Sequence, residues 1–96
     1  NRFGPNGFYV MDEPEAALST QNCLTCLRRI HQLVNDGSQF VIATHSPIVL
    51  AYPDATIYDC TQDGLTEIAY EDANTVRLTH SFLAARDRFL DQLLAD

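Results

Sequence analysis

The chain is short, acidic and free of lysine. It has 96 residues, 46% of them hydrophobic, and its thirteen acidic residues outnumber its six basic residues for a formal net charge of −7. This length allows one domain that buries about 60 to 65% of its unfolded surface, and the acidic balance disfavours the broad phosphate-binding surface that nonspecific nucleic-acid binding needs. No apolar run reaches the roughly 18 residues of a membrane span, and three cysteines without a secretory signal favour a cytoplasmic setting.

The first predicted element is a buried strand over residues 8–11, "FYVM", because this apolar run is too short for a helix. The turn-forming sequence "GPNG" at residues 4–7 precedes it, and Pro14 prevents it from continuing. Over residues 15–35 apolar side chains recur at helical spacing until "NDG" ends the pattern. We therefore expect one helix here, or two helices joined near Ser19.

A second apolar strand, "QFVIAT", is predicted over residues 39–44 and ends at "HSP". A strand, a helix and a strand in this order predict a right-handed parallel unit. Further on, "ATIYDC" at residues 55–60 and "LTEIAY" at residues 65–70 flank "TQDG", which predicts a third strand with a hairpin partner. From Asn74 onward the apolar pattern predicts two amphipathic helices, with a break near residues 85–87.

Two unusual polar clusters follow the first two strands. Asp12 and Glu13 end the first strand, and Thr44, His45 and Ser46 end the second. Because ligands collect at the carboxyl ends of parallel strands, these clusters predict one shared site. One carboxylate of such a pair can hold a hydrated magnesium ion while the other accepts a proton from an attacking water. The simpler alternatives are that the acids cap the next helix and that the histidine is a solvated bystander.

The combination of these motifs resembles a known family. Four apolar residues before Asp12-Glu13-Pro14, then "AALS" at residues 16–19, a helix, a strand and "THSP" at residues 44–47 are similar to the C-terminal half of the nucleotide-binding domain of ABC-type ATPases. More narrowly, they resemble soluble predicted ATPases of the RecF-like branch. The resemblance covers residues 8–60 well and the remainder only in layout. It implies an α/β fold with a parallel P-loop NTPase-type sheet, followed by a β-hairpin and C-terminal helices.

The resemblance also implies roles for individual residues. Residues 8–13 match the Walker B strand, in which Asp12 would order Mg²⁺ and Glu13 would polarise the water that hydrolyses ATP. His45 matches the switch histidine that contacts the γ-phosphate.

Residues 16–19 match the D-loop, which lies across the interface with a second ATPase domain. This implies that Ala17, Leu18 and Ser19 approach the partner's nucleotide in a homodimer. Ser19 stands where many family members carry aspartate, so the resemblance gives its side chain no specific role across the dimer.

Two motifs that the family needs do not occur in these residues. A phosphate-binding loop of the form G-x-x-x-x-G-K-[ST] requires a lysine, and the chain has none. The signature motif that normally precedes Walker B is also missing. The sequence begins with Asn1 and not with an initiator methionine. We therefore expect residues 1–96 to be the C-terminal part of one ATPase domain, with both motifs in a preceding segment. A degenerate, inactive homologue is the alternative.

A reading from a different functional class is also open. In a non-enzymatic interaction module, the acids would cap a helix and the C-terminal amphipathic helices would bind a partner. RecF-like relatives raise nucleic acid as a partner of the whole protein, although the acidic composition gives this no independent support. Cys23 and Cys26 form C-x-x-C inside a predicted helix, where two thiols on neighbouring helix faces are expected rather than a redox or zinc site.

Overall fold

The computed structural model describes residues 7–95, so the predicted turn at residues 4–7 lies, apart from Gly7, outside the described residues. The chain divides into two compact units, with the boundary between Asp54 and Ala55. The first unit contains both predicted polar clusters.

A parallel pair of strands forms the sheet of the first unit. Strand β1 (Phe8–Asp12) lies beside strand β2 (Gln39–Ala43), with Phe8 opposite Gln39 and Asp12 opposite Ala43. Both strands were predicted from their apolar runs, and their parallel direction is confirmed. The register aligns the two strands end to end, so the residues that follow them emerge at the same edge of the sheet.

The two faces of this sheet have different surroundings. On the inner face, the rings of Tyr9 and Phe40 contact each other with their centroids 4.9 Å apart. On the outer face, Phe8 is 64% exposed, Val10 72% and Val41 51%. Parallel strands are usually apolar on both faces because both are covered. The outer face is therefore an uncovered apolar surface among the residues described.

Helix α1 (Thr20–Asn35) connects the two strands, after a short 3-10 turn at Pro14–Ala17. The helix begins at Ser19, whose Oγ accepts a hydrogen bond from the backbone N–H of Asn22 at 3.1 Å. Such a cap satisfies one of the unpaired donors of the first turn. Of the two predicted possibilities, two helices joined near Ser19 is the one observed, with a 3-10 helix before Ser19 and an α-helix after it.

The end of α1 depends on the predicted glycine. Gly37 has a φ of 95°, its N–H donates to the carbonyl of Val34 at 3.0 Å, and the N–H of Ser38 donates to Leu33 at 2.9 Å. These two bonds form a Schellman motif, which needs a left-handed residue that glycine supplies without steric cost. The motif turns the chain directly into β2.

The buried side chains of the first unit lie mainly on α1. Cys23, Ile30 and Leu33 are at most 5% exposed, and the helix packs against β2 and against a 3-10 turn at Val49–Ala51. Val49 completes this core. The helix thereby holds the segment that follows β2, which contains His45, against the rest of the unit.

The second unit begins with an antiparallel hairpin of β3 (Ile57–Thr61) and β4 (Gly64–Ile68). A two-residue turn connects them, and Gly64 has a φ of 110°. Helices α2 (Asn74–Ala84) and α3 (Arg86–Leu93) follow, with the predicted break at Ala85. Phe82 and Phe89 contact each other edge to face across this break.

The fold class is confirmed only in its coarser form. The described residues form a mixed α/β structure with two separate two-stranded sheets, one parallel and one antiparallel. They do not form the larger parallel sheet of a P-loop NTPase, because the hairpin pairs only with itself. None of the helices within residues 7–95 has the length and apolar character that crossing a bilayer would require.

Candidate functional site

The ends of β1 and β2 bring the two predicted polar clusters together. Asp12 lies opposite Ala43, and the N–H of Glu13 extends the ladder by donating to the Ala43 carbonyl at 2.7 Å. Thr44 and His45 follow Ala43 directly, so both clusters leave the sheet at one edge. Asp12, Glu13 and His45 are all exposed. The predicted proximity of the two strand ends is therefore present in the structure.

Glu13 has an unusual backbone conformation. Its φ of 47° and ψ of 59° place it in the left-handed region, which L-residues other than Asn and Asp rarely adopt. Glu13 also stands at the N-cap position of the Pro14–Ala17 turn, yet its side chain makes no capping hydrogen bond. Glu13 therefore does not cap this turn through a side-chain hydrogen bond. Strained residues of this kind concentrate at functional sites.

Asp12 and Glu13 offer two exposed carboxylates in sequence at a strand end. Carboxylate oxygens are the protein ligands that Mg²⁺ prefers, and this ion usually takes one or two of them together with substrate phosphates. Within residues 7–95 no three side chains of His, Cys, Asp or Glu cluster in a way that would hold a metal by themselves. The donors present fit an ion that would be held mainly by a substrate and by one carboxylate of this pair.

Glu15 belongs to the same edge, although the sequence analysis treated it only as the start of a helix. Its Oε1 accepts a hydrogen bond of 2.7 Å from the hydroxyl of Thr44. Partial burial raises the pKa of the Glu15 carboxyl, but hydrogen bonds from Thr44 and from the backbone N–H groups of Glu15 and His45, and the charge of His45, lower it further than burial raises it. The net pKa lies below its ordinary value, so the carboxylate stays ionised.

The segment after β2 is tied down by hydroxyl groups on either side of His45. Thr44 Oγ1 accepts from the N–H of Ser46 at 3.0 Å, and Ser46 Oγ accepts from the N–H groups of Ile48 and Val49 at 3.2 and 3.3 Å. These bonds form turns of the kind that Ser and Thr favour. The backbone of His45 is thus held while its imidazole is exposed.

The residues that match the D-loop form the connection between β1 and α1. Ala17 ends the 3-10 turn, Leu18 is extended with φ −113° and ψ 142°, and Ser19 caps α1. All three are exposed. Because the Ser19 hydroxyl oxygen already accepts from Asn22, its first structural role is local.

The two helical cysteines differ in exposure. Cys23 is buried and Cys26 is half-buried, and both are free thiols. Burial, followed by the neighbouring Cys23, raises the pKa of the Cys26 thiol. A raised pKa disfavours the reactive thiolate, so this environment does not favour redox chemistry.

Comparison with known proteins finds two similar bacterial sequences. The chain is 39% identical over 69 residues to the chromosome partition protein Smc of Mycobacterium tuberculosis and equally to that of Mycolicibacterium paratuberculosis. The matched stretch is 70% of this chain but only 6% of each relative's length. No protein-family model matches the chain.

Proposed function

We propose that this chain is the C-terminal part of an ATP-binding and ATP-hydrolysing domain of the ABC-like P-loop type. The longer parent protein would supply the phosphate-binding loop and the signature motif, and it would couple hydrolysis to closure and opening of two such domains. Support comes from three features together: the Walker B-like end of β1, the adjacent histidine after β2, and the similarity to part of Smc.

The observation that carries the proposal is the state of Glu13. It is an exposed carboxylate, it makes no capping bond, and it is held in a left-handed conformation at the edge where two parallel strands end. A purely structural residue at this position would be expected to relieve the strain as glycine or to cap the following turn. In the proposed reaction, Glu13 accepts the proton of the attacking water, which contributes typically about 100- to 10,000-fold to a rate.

Asp12 and His45 would act on either side of Glu13. Asp12 would orient the magnesium ion of Mg-ATP. When bound, this ion would neutralise the negative charge that develops on the phosphates during hydrolysis. The His45 imidazole would donate a hydrogen bond to an oxygen of the terminal phosphate, and the bonded segment around it would keep that donor in place. Both roles are carried to these positions by the motif resemblance.

A second copy of the domain is the proposed partner. Ala17, Leu18 and Ser19 would line the interface and approach the nucleotide of the other copy, and their exposure leaves them accessible for that contact. Nucleic acid is proposed as a further partner of the parent protein, because the similar proteins are named for chromosome partition. The net charge of −7 makes a DNA-binding surface on this part of the protein unfavourable. We propose a cytoplasmic location for the parent.

The testing experiment is Glu13→Gln in the full-length parent protein. The amide keeps the size of the side chain but cannot accept the proton, so kcat should fall by about 100-fold or more while ATP affinity is retained. Steady-state hydrolysis and equilibrium nucleotide binding give the two numbers, and light scattering should reveal an ATP-bound dimer that no longer opens. Glu71→Gln, which makes the same change on an exposed residue of the second unit, is the matched control. Near-normal hydrolysis by the Glu13 variant would refute the assignment.

An interaction module remains the second candidate because the second unit exposes large apolar side chains. Leu78 is 56% exposed, Leu83 71%, Leu93 69% and Leu94 75%. If these side chains form one continuous patch, that patch would be a site of the kind where proteins associate. Absence of ATP binding by the full-length protein, combined with capture of a partner through these helices, would favour this candidate over the ATPase.

A further inference from the structure

Glu15 is the side chain that connects the two strand ends. It lies in the 3-10 turn after β1, yet its carboxylate accepts from the hydroxyl of Thr44 at 2.7 Å, 29 residues further along the chain. The backbone N–H of His45 also lies close enough to lower the pKa of this carboxyl. The carboxylate of Glu15 therefore holds the residue that directly precedes His45.

The hydroxyl of Thr44 acts as donor to Glu15 and as acceptor from Ser46. A hydroxyl has one proton to donate, and here that proton goes to Glu15, while the oxygen accepts from the N–H of Ser46 at 3.0 Å. Ser46 in turn accepts from two backbone N–H groups further on. The result is a continuous set of hydrogen bonds from the turn after β1 through the residues on both sides of His45.

We propose that Glu15 is a positioning residue that holds His45 at the edge of the sheet beside Glu13. This inference rests on the proposed function, because it gives His45 a task that requires a fixed imidazole. Glu15 itself does not act on substrate: it is half-buried and its Oε1 accepts from Thr44, whereas Asp12 and Glu13 are exposed.

The positioning role depends on the negative charge of Glu15 and on the number of hydrogen bonds that its carboxylate can accept. An ionised carboxylate accepts hydrogen bonds more strongly than a neutral amide and can accept several at once. Glutamine keeps one acceptor oxygen but turns the other position into a donor, which would face the N–H of His45 or the hydroxyl of Thr44. The segment would shift to relieve this conflict, and a shift of about 1 Å at a reacting group can cost about 100-fold in rate.

The test uses Glu15→Gln and Thr44→Val in the full-length protein. We expect each variant to lower kcat by about 10- to 100-fold with little change in the KM for ATP. Thr44→Ser, which keeps the hydroxyl, should restore most of the activity, and Glu71→Gln should leave it unchanged. The backbone N–H of His45 should exchange with solvent faster in both variants, a local readout that does not depend on hydrolysis.

A double-mutant cycle with His45→Ala separates positioning from general stability. If Glu15 acts through His45, then adding Thr44→Val or Glu15→Gln to His45→Ala should cause no further loss of kcat. Losses that multiply in the double variants would overturn the proposal, because they would show an action independent of His45.

The remaining outcomes distinguish this inference from the proposed function. Slow hydrolysis by His45→Ala with normal hydrolysis by both Glu15→Gln and Thr44→Val would overturn the positioning role and leave the ATPase intact. Normal hydrolysis by His45→Ala would remove the role assigned to His45 and the positioning role with it. Thermal unfolding of each variant checks folding, and Thr44→Ser provides the folded comparison if Thr44→Val unfolds.

Discussion

The left-handed backbone at Glu13 predicts that glutamate at this position lowers the free energy of unfolding, although its carboxylate is needed for activity. For an L-residue, the left-handed conformation costs about 1 to 2 kcal/mol, and glycine avoids this cost. Glycine also makes the unfolded chain more flexible, which costs about 0.5 to 1 kcal/mol. The difference favours Glu13→Gly over Glu13→Ala by about 0.5 to 1 kcal/mol of unfolding free energy, since both substitutions remove the same carboxylate.

The assay compares the two variants in the full-length protein by thermal unfolding and by ATP hydrolysis. Glu13→Gly should melt about 1 to 4 °C above Glu13→Ala if the domain has roughly 150 to 250 residues, and neither variant should hydrolyse ATP at a normal rate. Asp54 provides a matched control, because it is exposed and its φ is 63°. Asp54→Gly should exceed Asp54→Ala in stability by a similar amount with activity unchanged. Equal melting temperatures for the two Glu13 variants, with a separation between the Asp54 variants, would refute the reasoning.

Further expectations concern the histidine, the isolated chain, the acid response and the thiol. His45→Ala should lower kcat more than it weakens ATP binding, and a change in affinity alone would contradict a phosphate contact that tightens in the transition state. Residues 1–96 alone should give no measurable heat with Mg-ATP in isothermal titration, because no lysine or glycine-rich loop is present to hold the phosphates, and micromolar binding would refute this. Because the pKa of Glu15 is lowered from 4.5, its ionised form stabilises the fold above that pH, and this contribution is lost as the pH falls through the folded pKa. Denaturation between pH 3 and pH 7 should therefore show a stability gap between wild type and Glu15→Gln that closes on the acid side. Cys26→Ser should leave hydrolysis unchanged, and a loss of bound metal in this variant would contradict the structural interpretation of the thiol.

Much of the local structure follows from the sequence because its signals are local. The apolar runs before Asp12 and before Thr44 predict the two strands, and glycine at position 37 predicts where α1 ends. The helix break at Ala85 follows from the change in apolar spacing. In each case neighbouring residues determine the backbone, so their pattern is sufficient.

The features that the sequence did not predict depend on contacts between distant residues or on backbone angles. Glu15 looks like an ordinary acid at a helix start, and only the parallel register brings Thr44 to its carboxylate. Two sequence features could have predicted this contact: Thr44 directly follows an apolar strand, and Glu15 lies three positions after Asp12. The φ of Glu13 has no such signal, because glutamate is not a residue type that favours left-handed backbone.

The uncovered outer face of the parallel strands has a consequence for Asp12. Side chains alternate along a strand, so Asp12 lies on the same face as Phe8 and Val10. Water now reaches all three, and a carboxylate in water attracts a cation weakly because the medium screens its charge. An apolar element packed over Phe8 and Val10 would exclude this water and strengthen the field of Asp12 without touching it. Such a neighbour would therefore raise the affinity of this carboxylate for a cation through two hydrophobic side chains that bind no ion themselves.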